Sequence, residues 1–136
     1  MTIGSRNLQD FARKTARSLP EVSSGYPFTN KLLVFKVGGK VFLIITEDPS
    51  DPVITLKIDP HHGDALNRDH VSITPGRYLD KHHWITIASG EGINEDLVAD
   101  LLTASYDLVV EGMPKAKRPA RAHNTEPDLG NRLRKT

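Results

Sequence analysis

Leu32-Leu33-Val34-Phe35-Lys36-Val37-Gly38-Gly39-Lys40-Val41-Phe42-Leu43-Ile44-Ile45-Thr46 is the stretch that decides the fold class. It is two β-rich runs joined by a glycine pair. Consecutive glycines accept the positive φ angles of a type I′ turn, so the stretch reads as a hairpin. Lys36 and Lys40 flank the turn and make its tip a small basic wing. Outward toward the C-terminus, Glu47-Asp48-Pro49-Ser50-Asp51-Pro52 is a turn, and Val53-Ile54-Thr55-Leu56-Lys57-Ile58 reads as a third strand. Its alternation places Lys57 on one face with Thr55 and Val53, and Ile54, Leu56 and Ile58 on the other. Outward toward the N-terminus, residues 20–30 (PEVSSGYPFTN) are turn-rich. Before them, Leu8, Phe11, Ala12, Ala16 and Leu19 fall at helical spacing, with Ser5 as the expected N-cap and Pro20 as the stop. Arg13, Lys14 and Arg17 lie near the opposite side of that helix.

The remaining elements follow the same logic. Asp59-Pro60 starts a short helix reaching about Asn67, since Asp caps free amides and Pro at the first position forfeits no hydrogen bond. Val71-Ser72-Ile73 reads as a brief strand broken by Pro75-Gly76, and Trp84-Ile85-Thr86-Ile87-Ala88 as another. Trp84 is expected in the core. Asn94 caps the longest helix, with Glu95 and Asp96 suiting its positive end. Leu97, Val98, Leu101, Ala104 and Leu108 are its expected core stripe, and Gly112 and Pro114 end it. A helix, strands, a short helix, strands and a final helix make an α+β domain with a largely antiparallel sheet.

Composition bounds the chemistry. A chain of 136 residues suits one domain. With no cysteine, disulfides and thiolate metal sites are excluded. No apolar run approaches the ~18 residues of a membrane span, and the N-terminus lacks a secretory core, so a cytoplasmic protein is expected. The net charge of +1 hides an asymmetry. Residues 1–113 carry 11 Lys and Arg against 15 Asp and Glu, a net −4, while residues 114–136 carry 7 against 2, a net +5. Residues 119–136 are polar and aperiodic, and read as a basic, disordered tail. The basic stretch from Lys115 to Arg121 would add non-specific affinity for a polyanion.

The wing segment from Val34 to Phe42, the Thr55-Leu56-Lys57 strand and the Ser105-Tyr106 pair join a longer pattern, Pro75-x-Arg77-x-Leu79-x-Lys81-x-His83-Trp84-x-Thr86. Together, over about Asn7 to Arg118, these resemble the MmcQ/YjbR family. The resemblance implies a compact CyaY-like domain over residues 1–118, with N-terminal and C-terminal helices packed on the sheet. It also implies, for many members, a proposed double-wing mode of DNA binding. On that reading Lys36, Lys40, Lys57, Arg77, Lys81 and His83 contact the nucleic acid, the cations meeting phosphates. The alternative is a protein-interaction or small-ligand module that uses the Tyr78–Trp84 loop through its aromatic rings.

Other chemistries find little footing. A metal site would need one histidine from His61-His62, one from His82-His83 and a carboxylate such as Asp59 or Asp64, and no HExxH or HxH spacing is present. The CyaY-like fold invites an iron hypothesis by analogy, but the first helix reads Gln-Asp-Phe-Ala-Arg-Lys-Thr-Ala-Arg rather than acidic. No nucleophile elbow, phosphate loop or dinucleotide fingerprint appears. The expectation is a non-catalytic, cofactor-free monomer whose possible partner is DNA.

Overall fold

The computed structural model describes residues 3–77 and 79–119. Its elements, in chain order, are α1 (Ser5–Arg17), β1 (Val22–Gly25), β2 (Leu32–Val37), β3 (Lys40–Thr46), β4 (Ile54–Lys57), α2 (Pro60–Asp69), β5 (Ile73–Pro75), β6 (Trp84–Ile87), α3 (Glu95–Glu111) and a 3-10 turn at Lys115–Lys117. The strands form one sheet in the order β1-β2-β3-β4-β6-β5, every neighbouring pair antiparallel. The fold is α+β, as the pattern of elements predicts.

The β2–β3 hairpin turns on Gly38 and Gly39, whose φ angles of 58° and 77° are both left-handed. That pair is what a type I′ turn requires and what side chains disfavour. A bulge follows. Phe35 pairs with Leu43 but Lys36 pairs with Val41, leaving Phe42 as the extra residue. The bulge sends Phe42 into the core, where its ring meets that of Tyr106 edge-on at 5.4 Å. β4, α2, β5 and β6 then form a split unit. β5 lands on the sheet edge, parallel to β4, and β6 returns to fill the gap between them.

Register sorts the two faces of the sheet. Leu33, Phe35, Leu43, Ile45, Ile54, Leu56, Ile85 and Ile87 share one face and are buried in a single cluster with Leu8, Ala12 and Ala16 of α1 and Val98, Leu101, Leu102 and Tyr106 of α3. α2 covers the β5–β6 end on this side, with Gly63 close against Ile58 and Ile85. Val34, Ile44, Thr55 and Thr86 point to the other face, where the Thr55 and Thr86 hydroxyls hydrogen-bond at 3.1 Å.

Several local expectations need correction. Gly4, not Ser5, is the N-cap of α1, and the helix ends at Arg17, before Pro20. Residues 22–25, read as turn, form edge strand β1, because pairing with β2 orders a polar Val-Ser-Ser-Gly run that has no pattern of its own. The short helix runs two residues further, to Asp69, and the strand after it is Ile73–Pro75 rather than 71–73, with Pro75 tolerated at the sheet edge. The stripe of α3 is rotated. Val98, Leu101, Leu102, Ser105, Tyr106 and Val109 are buried, whereas Leu97, Ala104 and Leu108 are only half-buried. Trp84 is half-buried too, instead of lying in the core. Asp59 and Asn94 cap α2 and α3 as expected, accepting from the amides of His62 and Leu97.

Candidate functional site

Ser105 fixes the geometry of the most distinctive surface. Its hydroxyl donates to the Phe42 carbonyl at 2.6 Å and accepts from the Lys57 amide at 2.9 Å. One buried side chain of α3 therefore holds the ends of β3 and β4 together beside the bulge. On the far side of β4, Lys57 pairs with Trp84, whose carbonyl accepts from Gly76 at 2.7 Å. The hairpin tip leans on the end of α3. A methyl group added at Gly38 would come within 2.4 Å of the Met113 side chain.

A groove of about 280 Å³ results. Lys40, Val41, Lys57 and Trp84 form its sheet wall, and Leu108, Val109, Gly112 and Met113 its helix wall. No acidic side chain lines it. Lys40 is exposed and Lys57 half-buried, and among the described residues neither forms an ion pair. Lys115 and Lys117 follow directly in the turn after Met113 and are exposed. Arg118 folds back, donating to the Met113 carbonyl at 3.0 Å and the Glu111 carbonyl at 2.9 Å. Its guanidinium thus offsets the negative end of the α3 dipole next to the groove.

The other predicted contacts are distributed differently. Lys36 is half-buried and pairs with groove residue Val41. Arg77 is bound to Asp51 by an ion pair that ties the β5–β6 connection to the β3–β4 connection. His83 Nδ1 lies 2.8 Å from Asp80 Oδ2, in a turn where the Asp80 carboxylate also accepts from the His82 amide at 2.9 Å. Those hydrogen bonds, the backbone one first, hold Asp80 below its ordinary pKa. Lys81 is exposed on the same turn. Tyr78 lies outside the described residues, as does the basic segment from residue 120 onward. The structure therefore gathers Lys40, Lys57 and Trp84, sets Lys36 beside them, and engages Arg77 and His83 with carboxylates.

Two further depressions flank α3 and α1. One, of about 300 Å³, lies on the other side of Leu108 and carries Asp59, His62, Asp107 and Glu111, so the end of α3 separates an acidic groove from a basic one. The larger, about 550 Å³, lies between α1 and the β3–β4 loop. Arg13 there bridges Asp10 at 2.6 Å and Glu47 at 2.9 Å. Gln9 beneath it donates to the Thr46 and Val53 carbonyls, a contact no local sequence signal announces. Among the described residues no three His, Asp or Glu side chains come together as a metal site, and no helix is long and apolar enough to cross a membrane.

The arrangement can be set beside known proteins. The model of the YjbR family matches residues 17–108, which include the hairpin, Lys57, Trp84 and Ser105. The chain belongs to the YjbR family. It is 39% identical over 110 residues to the uncharacterised protein YbdF of Escherichia coli O157:H7, a match covering 81% of this chain and 90% of that one. To the uncharacterised YjbR of Escherichia coli K12 it is 30% identical over 88 residues, covering 65% and 75%. A crystal structure of the Deinococcus radiodurans protein DR2400 superposes with a TM-score of 0.76 at 30% identity, over 88% of this chain and 94% of that one. A Pseudomonas syringae protein shares the fold at 20% identity, with a TM-score of 0.61 over 78% and 98%. YjbR membership thus accounts for the fold and for the motif residues placed above.

Proposed function

We propose that this YjbR-family protein is a non-catalytic nucleic-acid-binding module whose phosphate-contacting surface is the groove between the β2–β3 hairpin and the end of α3. The observation that carries the proposal is the convergence of Lys40 and Lys57, 17 positions apart in sequence, on a groove with no acidic lining. Lys115 and Lys117 extend the positive surface past Met113, and Arg118 quenches the carbonyls that would repel a phosphate. Phosphate contact needs just this, cations without competing carboxylates, and it carries no sequence information by itself. Lys36 and Lys81 act as outlying contacts. The apolar helix wall of Leu108, Val109 and Met113 supports a second reading, a small anionic ligand with an apolar body.

The test is fluorescence anisotropy of labelled random-sequence oligonucleotides with the full chain, at several salt concentrations. Salt-sensitive binding is expected, reduced at least about tenfold by Lys40→Glu combined with Lys57→Glu. Lys14→Glu, on exposed α1 surface, should leave it unchanged. Binding indifferent to the groove reversals would refute the proposal. Absence of nucleic-acid binding at low salt would move the groove to the small-ligand reading.

A further inference from the structure

We infer that the groove receives one unstacked base of a single-stranded nucleic acid, held beside Trp84, with the flanking phosphates on Lys40 and Lys57. This rests on the nucleic-acid reading above and specifies which form of nucleic acid the groove takes. Three observations lead there. The first is the mixed lining. A surface that only follows a phosphate backbone has no use for a recess with an apolar wall, yet Val41, Leu108, Val109 and Met113 line the same groove as the two lysines. A base has the complementary pattern, an apolar ring system tethered between two negative charges.

The second is size. At about 280 Å³ the groove sits at the lower limit of ligand pockets, roughly 300 Å³, so its occupant is on the scale of one ring system and not of a dinucleotide cofactor. The third is the placement of Trp84. Tryptophan is highly but seldom fully buried, and the part of this half-buried ring that stays exposed lines the recess. Aromatic side chains in such positions stack on bases without regard to sequence, because every base offers a π face. Paired bases inside a duplex cannot enter a recess of this kind, since their faces are covered by neighbouring pairs. The groove therefore selects strands whose bases are free.

Trp84 is the only tryptophan in the chain, so it reports on its own groove. The experiment titrates the full chain with oligo(dT) and with a duplex of equal length, following Trp84 fluorescence and the anisotropy of a labelled strand. Expected are a change in Trp84 emission with the single strand, and tighter binding to it than to the duplex. Trp84→Ala should weaken single-strand binding about tenfold or more and leave duplex binding unmoved, while Trp84→Phe should keep most of the affinity. Circular dichroism of both variants checks the fold, and if Trp84→Ala is unfolded the Trp84→Phe variant and the wild-type emission still decide. Duplex binding equal to or tighter than single-strand binding, with Trp84 emission unchanged, would overturn the inference and leave phosphate contact standing. Failure of the Lys40 and Lys57 reversals to reduce any binding would remove the underlying reading itself.

Discussion

At the scale of single residues, Ser105 does more than a serine in a helix usually does. Its hydroxyl satisfies a backbone amide at Lys57 and a backbone carbonyl at Phe42. Replacing it with alanine removes the partner of a buried carbonyl at Phe42 and of a half-buried amide at Lys57. Ser105→Ala is expected to cost about 2–4 kcal/mol, more than one ordinary hydrogen bond, because two bonds are lost and the buried carbonyl is left unsatisfied. Urea unfolding of the two proteins measures it, and a loss below about 1 kcal/mol would show that solvent reaches the orphaned groups. The neighbouring Tyr106 acts at a greater distance in sequence, its hydroxyl donating to the Pro20 carbonyl at 2.7 Å. The Ser-Tyr pair was visible in the sequence as part of a family pattern. Its physical purpose was not, since a hydroxyl's partners 48 and 63 positions away leave no local trace.

At the scale of elements, local signals were read correctly where one residue type answers one backbone need. Gly38-Gly39 met a demand for positive φ, and Asp59 and Asn94 met free helix amides. The signals failed where a partner decided. β1 is a strand only because β2 offers it an edge, and the α3 stripe is rotated because the bulge presents Phe42 to Tyr106 rather than to position 104 or 108. The candidate site shows the same division. Lys40 was identifiable as a wing cation and Lys57 as a cation of the next strand, but their meeting with Trp84 depends on β6 entering between β4 and β5.

The turn before β6 is an element with its own pH response. Asp80 accepts from the His82 amide and pairs with the His83 ring, and its pKa is lowered accordingly. A carboxylate depressed in the folded state contributes fully above its unfolded pKa, about 3.9, and loses that contribution as pH falls through the lower folded value. The His82 amide resonance is therefore expected to titrate with an inflection below about 3.9, and Asp80→Asn to abolish the inflection. An inflection at or above the ordinary value would show that the turn does not depend on the charged form.

At the scale of the whole molecule, three of the ion pairs among the described residues gather at one end of the sheet. Arg13, Arg77 and Lys31 are committed to Glu47, Asp51 and Asp48, all on or beside the β3–β4 loop, so one end of the sheet is electrically quiet. Lys40, Lys57, Lys115 and Lys117, none of them in an ion pair among the described residues, lie by the end of α3. With about four cations there, each phosphate neutralised adds roughly −0.9 to the slope of log K against log salt on a duplex, so a slope between about −2 and −4 is expected. A much steeper slope in the full chain would assign the binding to residues beyond 119. A slope near zero would exclude phosphate contact as the source of affinity.

The final helix also governs when folding can happen during synthesis. α3 supplies Val98, Leu101, Leu102, Tyr106 and Val109 to the core, and Ile3 takes its backbone partner from Ile93. A nascent chain that has emerged only as far as β6 therefore presents a sheet whose apolar face is covered only in part, by α1 and α2. Domains fold as units as they leave the ribosome, at roughly 5–20 residues per second. Here the vulnerable interval ends only when residues 95–111 clear the exit tunnel, so α3 is the element that ends the sheet's exposure to chaperones and aggregation.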